Sequence, residues 1–244
     1  MSAPTPSLES TSSPSPWRTA LALGRVATLP TVWTNVLAGV AFAADPSAGV
    51  VLPVALAASL LYFAGTFLND AFDAKADAAN RPDRPIPQGQ VTARTVFAAG
   101  FGFMALGLAI LWVGPGGDRA IAPGVALAAL VVFYDVAHRK LALAPVILGL
   151  CRVAAYVVAS RAAAPGLPPP LVVGALLILS CQVTLGVVAR REAAEPTAPR
   201  RFDLLTAGLS LVDGAQLLAL GHWGHPLLCV GAFLLARRLQ RAVP

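Results

Sequence analysis

The chain has 244 residues, 57% of them apolar and only 12% charged, with a net charge of +6 and a mean hydropathy of +0.70. Soluble domains carry about 25% charged residues, so an ordinary water-soluble globule is excluded, and so is disorder outside the termini, which needs low hydrophobicity. What remains is an all-α polytopic membrane bundle in which each charge needs a reason.

Residues 1–16 are rich in Ser, Thr and Pro, with Glu9 and no Arg or Lys. A secretory signal needs a basic stretch ahead of its apolar run, so this segment is expected to be a short disordered tail, with residues 17–244 forming one transmembrane domain. Eight apolar segments of spanning size follow, given that about 20 residues cross the hydrocarbon core: 21–44, 49–68, 92–113, 120–137, 144–160, 168–189, 203–221 and 223–240. In the third, Gly100, Gly102 and Gly107 permit close helix packing.

The basic residues test this count. With eight spans, fifteen of the eighteen Lys and Arg fall on the side of the N-terminus, Arg119 and Arg161 on the other, and Arg152 within a span. By the positive-inside rule the first side, with both termini, is cytoplasmic, and the protein is expected in the cell inner or plasma membrane in contact with its lipids. No basic stripe is interleaved with aromatics, so nucleic acid is not an expected partner. Cys151, Cys181 and Cys229 are widely spaced in apolar runs and offer neither a disulfide framework nor a CxxC knuckle. The long polar connections 69–91 and 190–202 each follow the second helix of a four-helix half. This arrangement predicts two pseudo-equivalent halves, about 21–137 and 144–240, presenting their loops to one site.

Residues 67–92 read FLNDAFDAKADAANRPDRPIPQGQVT. At 100° per residue Asp70, Asp73 and Asp77 lie within about 60° of one another if the second helix extends through them. Three carboxylates on one face repel each other unless a divalent cation or a cationic partner joins them. Oxygen ligands without Cys or His favour Mg²⁺, which takes one or two carboxylates together with substrate phosphates. The alternative is a solvated acidic turn. Asn69, Arg81, Arg84 and the stiff PIPQG turn lie close by, and arginine forks match phosphate oxygens. Together they fit capture and ionisation of a diphosphate, with a metal offsetting charge on the leaving group.

N-D-x-x-D-x-x-x-D followed by N-R-P-D-R-P-I-P-Q-G resembles the first aspartate-rich motif of the UbiA superfamily of intramembrane prenyltransferases. GRVATLPTVWTNVLAG resembles its first helix, and with LGLCRVAAYVVAS and VVARRE the likeness is closest to the EboC-like subgroup. The resemblance implies about nine helices, one more than the eight counted, around a cavity that opens to the bilayer. It also implies a Mg²⁺-bridged isoprenyl diphosphate whose allylic cation alkylates a small-molecule or lipid acceptor. By position, Asn69, Asp70, Asp73 and Asp77 would hold metal and diphosphate, with Arg84 on the phosphates.

The family's second motif is an aspartate pair in the later loop, whereas this loop reads ARREAAEPTAPRR. Either Glu192 is a reduced metal ligand or Arg190 and Arg191 bind the diphosphate directly; an ordinary charged loop is the third reading. FYDVAHRK resembles a stretch after the family's fourth helix. It would place Tyr134 and Asp135 at the cavity mouth with His138, Arg139 and Lys140, unless these are interface anchors. His138 is read either as an aid to proton removal or as a snorkelling interfacial side chain. Within the spans, Arg152, Asp213 and Asn35 are costly enough to need a function or a partner. An Arg152–Asp213 pair, with Tyr156 one turn beyond Arg152, would either line the polar end of the cavity or bond helices together. His222 and His225 have a metal-like spacing but no nearby carboxylate in sequence.

These readings predict a Mg²⁺-dependent prenyltransferase. Its alternatives are a membrane terpene cyclase of the same family and a non-catalytic, export-linked membrane protein that keeps the cavity.

Overall fold

In a computed structural model, residues 16–195 and 201–242 are described. The tail expected at 1–16 lies outside the described residues except for Pro16. The described residues form nine α-helices, α1 (Pro16–Gly24), α2 (Leu29–Ala41), α3 (Ala48–Asn80), α4 (Ala93–Val113), α5 (Gly117–Ala137), α6 (Ala144–Ala163), α7 (Pro169–Ala194), α8 (Phe202–Ala219) and α9 (Pro226–Ala242), with a 3-10 turn at Val26–Thr28. Helices α3 to α8 are long and apolar enough to cross a membrane. Their outward faces carry exposed Leu52, Leu106, Val173 and Leu176, side chains that only lipid can cover. This is an integral membrane protein.

The first apolar segment is not one span. It breaks at Arg25, whose φ of 43° and ψ of 46° are left-handed, a conformation that costs a non-glycine residue roughly 1–2 kcal/mol. Tyr62 Oη donates to the Arg25 carbonyl at 2.9 Å and so holds the break. Helix α2 restarts with Pro30 in its first turn, where the missing N–H has no intrahelical partner to lose. Although only 13 residues long, α2 buries ten of them. It contributes Val36 and Val40 to one core cluster, Ala38 to a second and Leu37 to a third, and α3, α6, α8 and α9 pack against it.

Small residues set the closest approaches. A Cβ on Gly39 would lie 2.7 Å from Ala159 Cβ and 2.9 Å from the Tyr156 carbonyl oxygen, which presses α2 against α6. A Cβ on Gly100 would meet Leu68 Cγ at 2.8 Å, and one on Gly107 the Ala57 carbonyl oxygen at 3.0 Å, fixing α4 on α3. Gly102 differs from the packing expectation: a Cβ there meets nothing within 4 Å, because its helical phase turns it outward.

Helix α3 has 33 residues, about 50 Å at 1.5 Å per residue, against a hydrocarbon core of about 30 Å. Its last twelve residues therefore project beyond the apolar part, and the polar connection expected from 69 starts only after Asn80. The turn that follows is stiff. Gln88 N–H donates to the Arg84 carbonyl at 3.0 Å, Gln90 N–H to that of Pro85 at 3.0 Å, and Gly89 supplies a φ of 71°. Ile86 and Val91 pack against Leu23, Ala71 and Val96, and Thr19 Oγ1 donates to Gln90 Oε1 at 3.0 Å. Helix α1 and this turn are thus clamped onto the projecting end of α3.

Candidate active site

The projecting turns of α3 place Asp70, Asp73 and Asp77 on one face, as their spacing requires, and all three are buried, at 5%, 9% and 3% exposure. Cationic side chains from three other segments meet them. Arg25 Nη2 lies 2.7 Å from Asp70 Oδ1 and donates to Asn69 Oδ1 at 2.9 Å. Arg84 Nη1 reaches the same Asp70 oxygen at 3.4 Å. Arg139, in the turn after α5, spans two carboxylates, with Nε 2.5 Å from Asp73 Oδ1 and Nη2 2.9 Å from Asp77 Oδ1. Its hydrogen bond to Asp73 raises the guanidinium pKa above its ordinary value, so Arg139 stays a cation. His138 Nε2 lies 3.3 Å from Asp73 Oδ2, its Nδ1 lies 3.2 Å from the Asp135 carbonyl oxygen, and its ring stacks on Tyr134 at 5.1 Å. Both ring nitrogens face protein groups, so His138 bridges α5 to α3.

Below this layer lies a cavity of about 300 Å³. Its lining includes the apolar side chains of Val32, Ala58, Leu61, Leu127, Val131 and Ala155. The end nearer the aspartates carries Arg25, Asn69, Tyr134 and Asp135. Asn69 Nδ2 donates to Asp135 Oδ1 at 3.3 Å. Two buried carboxylate oxygens, Asp70 Oδ2 and Asp135 Oδ2, have no hydrogen-bond partner.

Among the described residues no three His, Cys, Asp or Glu side chains are grouped closely enough to hold a metal ion. Mg²⁺ usually takes only one or two carboxylates and completes its shell with water and substrate phosphates. A buried, unpartnered oxygen on Asp70, beside the carboxamide of Asn69, fits that shared mode of binding.

Deeper in the bundle, Arg152 and Asp213 do not form the ion pair that their sequence positions allowed. Arg152 is held by neutral acceptors: Gln182 Oε1 at 2.9 Å, Asn35 Oδ1 at 2.8 Å and Thr31 Oγ1 at 3.0 Å. Asp213, fully buried, accepts from Thr34 Oγ1 at 2.6 Å and from Tyr156 Oη at 2.5 Å, and Gln216 Nε2 donates to Tyr156 Oη at 2.9 Å. Tyr156 and Asp213 thus bond α6 to α8, behind the cavity wall.

The second-loop candidates make other contacts. Glu192 Oε1 accepts the backbone N–H groups of Arg201 and Phe202 at 2.6 and 3.1 Å, capping the start of α8 across the loop. Arg190 Nη2 donates to the Leu141 carbonyl at 3.2 Å. Arg81, Lys140 and Arg191 are exposed. At the other end of the bundle His222 faces Asp45 at 3.5 Å and His225 at 5.6 Å between rings, outside any three-residue metal group. Sequence reasoning passed over Arg25, Thr31, Thr34, Gln182 and Gln216. The signal for Arg25 is a Gly-Arg break inside an apolar run, and for the glutamines a polar side chain in mid-span.

Fold and site define a class: a polytopic helical membrane protein with an aspartate–arginine layer over an apolar cavity. The chain belongs to the UbiA prenyltransferase family, which matches residues 27–243. Digeranylgeranylglyceryl phosphate synthase of Methanoregula boonei is 47% identical over 62 residues, 25% of this chain and 22% of the synthase. That of Methanopyrus kandleri is 43% identical over 65 residues, 27% of this chain and 24% of the synthase. The chain therefore aligns with about a quarter of the length of these curated relatives. Among solved structures, one concerned with digeranylgeranylglyceryl phosphate synthase in membranes superposes with a TM-score of 0.62 at 18% identity, covering 92% of this chain and 88% of that one. A UbiA homologue from Archaeoglobus fulgidus bound to DMAPP and Mg²⁺ gives 0.62 at 13% identity, covering 91% and 87%. These superpositions show a shared fold.

Proposed function

We propose that this protein is a membrane prenyltransferase that binds an isoprenyl diphosphate with Mg²⁺, ionises it and transfers the prenyl group to an acceptor. The observation that carries this reading is the placement of three buried aspartates and three arginines directly over an apolar cavity. Asn69, Asp70, Asp73 and Asp77 are the ligands for metal and diphosphate. Bound Mg²⁺ supplies positive charge against the departing diphosphate.

The chain's own residues do the rest. Arg25 and Arg84 converge on Asp70, so their remaining N–H groups are available to phosphate oxygens entering that corner. Arg139 keeps Asp73 and Asp77 aligned. The prenyl chain lies among Val32, Leu61, Leu127 and Val131, where water is excluded from the allylic cation. Asp135, with one oxygen held by Asn69 and the other without a partner, is placed to take the proton that the acceptor loses. The site faces the cytoplasm, on the side favoured by the distribution of basic residues.

Glu192 gives its carboxylate to the start of α8, which favours a site with one metal-binding motif over the usual two. The test uses purified protein in detergent with Mg²⁺ and isoprenyl diphosphates of ten to twenty carbons. Diphosphate release that is lost in Asp70→Ala and Asp73→Ala is expected. No release from the wild type with any chain length would remove catalysis from the reading and leave a lipid-diphosphate binder.

A further inference from the structure

Arg25 reaches Asp70 from an unusual backbone. Among the described residues it is the only non-glycine residue with a positive φ, in the left-handed region that side chains disfavour. Such outliers persist only where the surroundings hold them, and they cluster at functional sites. The guanidinium donates to Asp70 Oδ1 at 2.7 Å and to Asn69 Oδ1 at 2.9 Å. Its side chain is nevertheless 40% exposed, so packing alone does not choose its rotamer. The direction in which the side chain leaves the backbone is what brings it to that corner, and a right-handed residue 25 would send it elsewhere.

Two donors meet the carbonyl of this residue. Thr28 N–H lies at 3.1 Å and is local, whereas Tyr62 Oη, at 2.9 Å, comes from α3, 37 positions away. Tyr62 precedes Asn69 by seven residues, so Tyr62, Thr66 and Asn69 share one face of α3 over two turns. All three line the cavity, and so does Arg25. Tyr62 thus joins the wall of the chamber assigned to the prenyl chain to the backbone of a residue assigned to the diphosphate. We infer that Tyr62 is a positioning residue: its hydroxyl holds Arg25 in the left-handed break, so that the guanidinium stands over Asp70 and Asn69 where a phosphate oxygen enters. This rests on the prenyl-diphosphate reading of the aspartate layer. A hydrogen bond that only fastened the break to α3 would change stability and leave the affinity for the headgroup alone.

The test measures binding of inorganic pyrophosphate and of geranyl diphosphate, each with Mg²⁺, to the full chain in lipid nanodiscs. Tyr62→Phe removes the hydroxyl and keeps the ring in the cavity wall. Arg25→Gly removes the guanidinium and keeps the left-handed backbone, which glycine adopts without steric cost. Each variant is expected to bind pyrophosphate about tenfold more weakly than the wild type, the scale of one hydrogen bond to a charged group. The double variant should stay within about threefold of Arg25→Gly alone, because the hydroxyl acts through the guanidinium and the two losses do not multiply. In Tyr62→Phe geranyl diphosphate should weaken by the same factor as pyrophosphate, since the wall facing the tail is intact. If Arg25→Gly does not fold, Arg25→Asn, which also tolerates this backbone, takes its place in the cycle. Unchanged pyrophosphate affinity in Tyr62→Phe, or a loss that persists in full when Arg25 is already replaced, overturns the positioning role. A wild type that binds neither ligand overturns the prenyl-diphosphate reading and this inference with it. A wild type that binds both, shows the coupled loss and releases no diphosphate supports the positioning role and tells against prenyl transfer alone.

Discussion

Arg139 bridges Asp73 and Asp77, with Nε at 2.5 Å from one carboxylate and Nη2 at 2.9 Å from the other, so a single guanidinium fastens the turn after α5 to successive turns of α3. A lysine cannot reproduce this fork. Arg139→Ala is expected to lower stability by about 1–2 kcal/mol, the range for hydrogen bonds to charged groups reduced for solvent screening, because the side chain is 40% exposed. Diphosphate release should fall about tenfold as Asp73 and Asp77 lose their alignment, and Arg139→Lys should recover little of either. Thermal unfolding in detergent and a phosphate-release assay read the two effects separately.

Asp70 is the carboxylate on which the charges converge, with Arg25 and Arg84 on one oxygen and the other buried without a partner. Asp70→Asn keeps the volume and removes the charge that both arginines face. Diphosphate release is expected to drop at least a hundredfold, and chelation of Mg²⁺ should produce a comparable loss in the wild type. If chelation leaves turnover intact, Mg²⁺ is not the partner of this carboxylate.

Asp213 accepts from Thr34 and Tyr156 in a fully buried site. Asp213→Ala leaves Tyr156 Oη without an acceptor, at about 1–3 kcal/mol, while Thr34 Oγ1 can still donate to the Thr31 carbonyl at 3.2 Å. A fall in the unfolding temperature is expected. Tyr156→Phe keeps Thr34 on Asp213 Oδ2 but strands both Asp213 Oδ1 and the amide of Gln216, so it should also lower the unfolding temperature. An Asp213→Ala variant that unfolds like the wild type would show that this network does not hold α6 to α8.

The helices and the acidic face were legible in the sequence because both are periodic. Apolar runs of spanning length mark α3 to α8, and spacings of three and four put Asp70, Asp73 and Asp77 on one side of any helix that contains them. The partners were not legible, since they depend on which helices touch. Thr34 meets Asp213 across 179 positions and Asn35 meets Arg152 across 117, and no local pattern encodes such distances. Arg25 was counted as a topology marker because an arginine at the edge of an apolar run ordinarily is one. Its role depends on a left-handed backbone break that turns it toward Asp70. For Glu192 the sequence leaves a metal ligand, diphosphate-binding arginines beside it and an ordinary charged loop open; its Oε1 accepts the N–H groups of Arg201 and Phe202 at the start of α8, a contact across the loop that no local pattern encodes.

Gly39 and Gly102 make a matched pair for testing whether the α2–α6 contact holds the bundle centre. At Gly39 the added Cβ would lie 2.9 Å from a backbone oxygen and 2.7 Å from Ala159 Cβ, neither of which is the free end of a flexible chain, so the helices must separate. Overpacking of this kind costs about 1–3 kcal/mol. Separation at this point also shifts Asn35, one turn earlier on α2, and Arg152, one turn before Tyr156 on α6, which both line the cavity. Gly39→Ala is therefore expected to lower the unfolding temperature and weaken substrate binding at once. Gly102→Ala meets no atom within 4 Å and relieves the entropic penalty of glycine inside a helix, worth about 0.5–1 kcal/mol, so it should leave binding unchanged and raise stability slightly. Equal effects from the two substitutions, measured by thermal unfolding and geranyl diphosphate affinity, would mean that the α2–α6 approach does not set the shape of the cavity.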